Sequence, residues 1–140
     1  MELTLNSTPV VWAATSPDSG RVRPALWGST LAELSERVAV LRSVGEGYIE
    51  AGFPDRDYSY LTLGFRAGYA VVHLFTSAEQ MSLLIGDGVV APEADVQVPI
   101  MDDLVTFTGT FVTNIDRAWT LMRAFIRTAS SSQLGTWCEL

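Results

Sequence analysis

The residues best equipped for chemistry are one histidine, His73, one cysteine, Cys138, and two groups of carboxylates. Acid–base or covalent catalysis needs a nucleophile, a base and a group that orients them. His73 stands inside the apolar run Tyr69 to Phe75, which favours a neutral, hydrogen-bonded structural imidazole over a general base. Cys138 has no second cysteine to bridge, and with a single histidine no zinc site of His and Cys ligands can be assembled. The expectation is a chain with no catalytic residue, no metal and no cofactor.

The carboxylates fall between Glu46 and Asp57 and between Asp87 and Asp103. Neither group has the Asp-x-Asp-x-Asp-Gly spacing of a calcium loop. The glycine pairs Gly45/Gly47 and Gly86/Gly88 flank Glu46 and Asp87, which puts an acid where a nucleotide cradle would hold phosphate. Solvated loop acids that keep an apolar domain dispersed are the bland account. The functional account is an acidic rim for a basic partner, drawn from Glu93, Asp95, Asp102 and Asp103 with help from Glu46, Asp55 and Asp57. Aromatic side chains dominate many interfaces, and Trp27, in the turn-like Pro-Ala-Leu-Trp-Gly segment, and Tyr58 are the exposed anchors expected to join them.

The 140 residues are 48% apolar and 18% charged, which suits one globular core. Sixteen acidic groups against nine basic ones, all of them arginine, leave a formal charge of -7. That balance disfavours direct contact with nucleic acid or anionic lipid. No apolar run reaches the roughly 18 residues of a membrane span, and the N-terminus lacks the basic region of a signal peptide, so a cytoplasmic protein is expected.

The elements that must carry these residues are legible in part. Val10 to Thr15 reads as a strand closed by the turn residues Ser16 to Gly20. Thr30 and Glu33 form a capping box ahead of Leu31, Leu34, Val38 and Leu41 at helical spacing, predicting a helix over 31–44. Glu46 to Asp57 is expected to be an irregular connection. Tyr58 to Phe65 and Tyr69 to Phe75 read as a hairpin around Arg66-Ala67-Gly68, the second strand being central because both its faces are apolar. Met81 to Ile85 and Val96 to Ile100 are further strands. Leu104 to Val112 alternates so regularly that a half-buried strand is expected, with Val105, Phe107 and Phe111 inward and Thr106, Thr108 and Thr110 outward. Asn114 or Thr113 caps a second helix over 115–128, whose apolar stripe includes Trp119, and Leu134 to Cys138 forms a last strand. The expected architecture is α+β: one antiparallel sheet with two main helices packed against one face.

In the last 80 or so residues, the strands Tyr60 to Leu63 and Tyr69 to Leu74, the run Phe107 to Val112, and Ile115, Ala118, Phe125, Thr128, Leu134 and Trp137 form an arrangement that resembles the first immunity-protein family of bacterial polymorphic toxin systems. Where many members carry a Gly and a Pro before the terminal Trp, this chain has Thr128 to Gln133. The resemblance implies a protein partner, a co-encoded toxin domain such as a nuclease or deaminase, bound and blocked inside the producing cell. It carries no enzymatic residue. Two other readings use the same residues: a small-ligand or adaptor domain with an apolar pocket, and a hydrolase built on two close carboxylates.

Overall fold

Thr30 starts the first helix by the mechanism its sequence announces. Its hydroxyl accepts from the backbone N–H of Glu33, and α1 runs Leu31–Val44 until Gly45, at φ 105°, ends it. Leu31, Leu34, Val38 and Leu41 are buried, as the spacing requires. The second helix, α2 (Ile115–Thr128), is capped by Asn114, whose side chain accepts from Arg117 N–H. It buries Ile115, Ala118, Trp119, Met122, Phe125 and Ile126. In this computed structural model, which describes residues 8–24 and 29–140, both helices pack on one face of an antiparallel sheet.

The sheet strands are β1 (Val11–Thr15), β2 (Val22–Pro24), β3 (Glu46–Gly52), β4 (Tyr60–Arg66), β5 (Tyr69–Phe75) and β6 (Met81–Leu84). A hairpin, β7 (Asp95–Ile100) and β8 (Asp103–Thr108), stands apart, and the short β9 (Thr113–Asn114) and β10 (Trp137–Glu139) complete the set. The main sheet has the order β10-β6-β5-β4-β3-β1-β2, with β9 pairing the start of β5. The β4–β5 connection is the two-residue turn Ala67-Gly68, with φ of 53° and 85°, the positive pair a tight hairpin needs.

Strand periodicity divides the sheet cleanly. Ile49, Ala51, Leu61, Leu63, Phe65, Ala70, Val72 and Leu74 face the helices in the principal core. Tyr48, Glu50, Thr62, Gly64, Val71 and His73 occupy the alternate positions, on the opposite face. There β7 lies across β4, so close that a Cβ on Gly64 would collide with the Pro99 carbonyl. A second core of Val71, Leu83, Val98 and Val112 forms beneath the hairpin, giving three layers.

Three expectations need correction. Glu46 to Asp57 is not a connection throughout, because Glu46 to Gly52 is β3, paired on both sides by β1 and β4. Its glycines are contact residues: a Cβ on Gly47 would lie 2.9 Å from Leu41 Cδ1, and one on Gly52 would lie 3.0 Å from Tyr60 Cβ. Close packing replaces the bulky side chains that mark strands elsewhere. The Leu104 to Val112 strand ends at Thr108, because Gly109 abuts the Ala91 carbonyl and opens a single 3-10 turn to Phe111. Val105 is 37% exposed rather than inward, while Phe107 and Phe111 are half-buried against the second core. Leu134 is buried but precedes the last strand, which spans Trp137–Glu139.

Candidate functional site

The acids named from the sequence do not form one surface. Glu46, at the start of β3, and Asp102 and Asp103, at the β7–β8 turn, line a common cleft of about 320 Å³. Its walls are the last turn of α1, the Ser16 to Gly20 turn and the β7–β8 turn. Asp102 Oδ1 accepts the Val22 backbone N–H at 2.8 Å, tying the hairpin to β2 and fixing this corner. Asp103 and Glu46 are exposed, with Arg66 opposite Glu46 in the β3–β4 register.

Three apolar side chains stand exposed among these acids: Val44 at 60%, Met101 at 56% and Leu104 at 49%. They line the cleft together with the carboxylates. Leu41 and Val44 of the last turn of α1 border the cleft, so the negative end of the helix dipole lies beside it. Met101 adopts φ 57°, a conformation that costs a side-chain-bearing residue energy and that Gly would tolerate better.

Asp57 and Tyr58 line a second groove, of about 450 Å³, beyond the other end of β3. Its floor is the part of the outer sheet face that the hairpin leaves uncovered, including Ala13 and Glu50. The Glu50 carboxylate accepts the Tyr48 hydroxyl at 2.9 Å. Burial, reinforced by the Glu50 charge and that hydrogen bond, pushes the Tyr48 phenol well above its ordinary value, and burial with Glu50 and Tyr58 pushes Tyr60 up as well. Tyr58 is exposed and stacks obliquely on Tyr60 at 5.7 Å; Tyr60 in turn stacks on Phe75 at 4.7 Å. Sequence reasoning missed Glu50, because its segment reads as a connection; an acid between Ile49 and Ala51, both apolar, is the signal that marks it as facing away from the helix-side core.

Asp55 is exposed and pairs with Arg56 at 3.3 Å. Glu93 precedes β7 and Asp95 begins it; the strand's six residues put them about 17 Å from the Asp102 turn at the usual rise. They are exposed and belong to neither cavity. Trp27 lies outside the described residues. Asp87 serves the fold: burial works against its ionisation, but hydrogen bonds from Thr113, Val89 and Asn114 hold its carboxyl below the usual range.

His73 is 7% exposed, lies edge-on to Phe107 at 5.6 Å, and has its pKa pushed down to about 4 by burial. Among the described residues its buried Nδ1 has no hydrogen-bond partner. Among the described residues no three His, Cys, Asp or Glu side chains converge as metal ligands, and no helix is long and apolar enough to cross a membrane. Comparison of the chain with protein-family models, curated proteins and solved structures found no match.

Proposed function

We propose that this protein is an immunity protein: it binds the basic catalytic face of a co-encoded toxin domain, a nuclease or deaminase, in the cytoplasm of the producing cell and blocks it by occupancy rather than by turnover. The observation that carries this reading is the cleft in which Glu46, Asp102 and Asp103 surround exposed Val44, Met101 and Leu104. A protein interface needs apolar area to hold the complex and charge to choose the partner, and both occur here together. An enzyme acting on nucleic acid carries cationic groups where phosphate binds, so its active-site face complements these acids and the formal charge of -7. The family resemblance of the C-terminal strands and helix supports the same direction.

The test is protection. The co-encoded toxin domain, expressed alone, should arrest growth, and expression of this protein should restore it. Purified, the two should form a complex whose residual nuclease or deaminase activity falls to zero at one equivalent. Survival without a complex, or a complex that leaves the toxin active, would overturn the proposal.

A further inference from the structure

The second groove is separate from the cleft that carries the proposed function, and its chemistry is more specific. Glu50 occupies its floor, half-buried on a β-strand, with its carboxylate bonded to one neutral donor, the Tyr48 hydroxyl. A carboxylate withdrawn from water gains most from a cation that also makes a charge-assisted hydrogen bond. Among the described residues no arginine is within ion-pair reach of Glu50. Arg56 lines the same groove, but its guanidinium is engaged over the Phe53 ring at 4.6 Å and with Asp55 at 3.3 Å. The groove therefore presents an acid with no ion-pair partner among the described residues.

The walls match the same occupant. Tyr58 and Tyr60 border the groove, and Tyr58 leaves part of its ring open to solvent. Aromatic faces attract guanidinium and ammonium groups, and more strongly where water is partly excluded. The Glu50 charge reaches Tyr60 as well as Tyr48, so floor and wall act on the same small volume. A planar guanidinium can lie against a tyrosine ring while its edge donates to a carboxylate, which an ammonium does less well.

We propose that this groove receives one arginine side chain of the basic protein partner, its guanidinium paired with Glu50 and lying against Tyr58 and Tyr60. The inference rests on the immunity-protein reading for the identity of the partner but not for the chemistry of the groove. In the complex, Glu50 would be a buried anchor, whereas Glu46 and Asp103 act from an exposed rim.

N-acetyl-arginine amide tests the groove without any partner. Titrated into the whole protein and followed by NMR, it should shift the ring protons of Tyr58 and Tyr60 saturably, whereas N-acetyl-glutamine amide should not. Glu50→Gln keeps the size and the acceptor for Tyr48, and it should weaken the arginine response about tenfold, the loss of a charge-assisted bond. Tyr58→Leu should weaken it severalfold with the fold unchanged. Equal responses to the two amides, or an undiminished response in Glu50→Gln, would overturn the groove assignment. With the toxin domain, Glu50→Gln should raise the dissociation rate; a complex formed with unchanged dissociation would overturn the arginine-anchor inference alone, and a groove that takes arginine in a protein that protects against no toxin would overturn the functional reading alone.

Discussion

Gly64 in β4 and Pro99 in β7 meet backbone to backbone, with no room for a Cβ between them. This contact seats the β7–β8 hairpin on the sheet, and the hairpin's turn delivers Asp102 and Asp103 to the cleft beside Glu46. The bond from Val22 N–H to Asp102 Oδ1 fixes the same turn from the other side. Gly64→Ala must lift the hairpin, and the expected cost is about 1–3 kcal/mol, as for other overpacked sites. Chemical denaturation should register that loss, and the partner's affinity should fall with it although Gly64 is no part of the cleft.

Met101 offers the converse separation. Its φ of 57° strains any residue with a side chain, while its exposed side chain has no structural duty in the core. Met101→Gly relieves the strain but enlarges the freedom of the unfolded chain, so stability should change by no more than about 1 kcal/mol. The dissociation rate of the partner should nonetheless rise, since apolar area is lost from the cleft. Thermal melting and surface-based kinetics on one preparation would measure both.

Stability should depend on pH through His73. The folded state keeps this imidazole neutral down to about pH 4, whereas an unfolded histidine takes up its proton near 6.5. Between those values the unfolded chain binds the extra proton, so stability falls as pH drops from 6.5 and the loss levels off below 4. That gap corresponds to about 3 kcal/mol at most. Denaturant midpoints between pH 7 and 4 should show the slope, and His73→Leu should remove the part due to this residue.

The opposite limb belongs to Tyr48. Its raised pKa means that the folded state retains the phenolic proton after an unfolded tyrosine would lose it, so stability falls as pH rises past the ordinary value of 10.0. Tyr48→Phe should flatten that alkaline limb. It also leaves Glu50 without its hydroxyl donor, which denaturation at neutral pH would register as a loss of about 1 kcal/mol.

Both helices were legible because local rules and tertiary demand agree in them. Thr30 and Asn114 cap, Gly45 terminates, and the apolar stripes at 3.6-residue spacing are the residues that the core buries. The same holds for the β4–β5 hairpin, whose turn needs two positive φ angles and has Gly68 at one of them. β3 escaped notice because its close neighbours, Leu41 and Tyr60, call for glycine at Gly47 and Gly52, and glycine is also the mark of a loop. β8 misled in the other direction. Alternation reports which residues share a face, but not whether another layer covers that face, and the second core covers Phe107 while leaving Val105 exposed.

The candidate site was legible as a set of residue types and not as a place. Nothing local to Glu46 reveals that Asp102 and Asp103 reach the same cleft, because a hairpin lying across the sheet brings them there. Glu93 and Asp95, close to that pair in sequence, are carried away by the length of one extended strand. Asp55, Asp57 and Tyr58 lie beyond the opposite end of β3 from Glu46, so the acidic surface named from composition divides into three separate places.

The most direct test of the account is the association rate of this protein with the proposed toxin domain, measured at low and high salt for the parent chain and for Glu46→Lys/Asp103→Lys. Both positions are exposed, so folding should change by no more than about 0.5 kcal/mol each. If these charges guide a basic partner into the cleft, the double variant should associate about tenfold more slowly at low salt and lose most of its salt dependence. An unchanged rate with an unchanged salt slope would contradict the claim that this acidic cleft is where the partner docks.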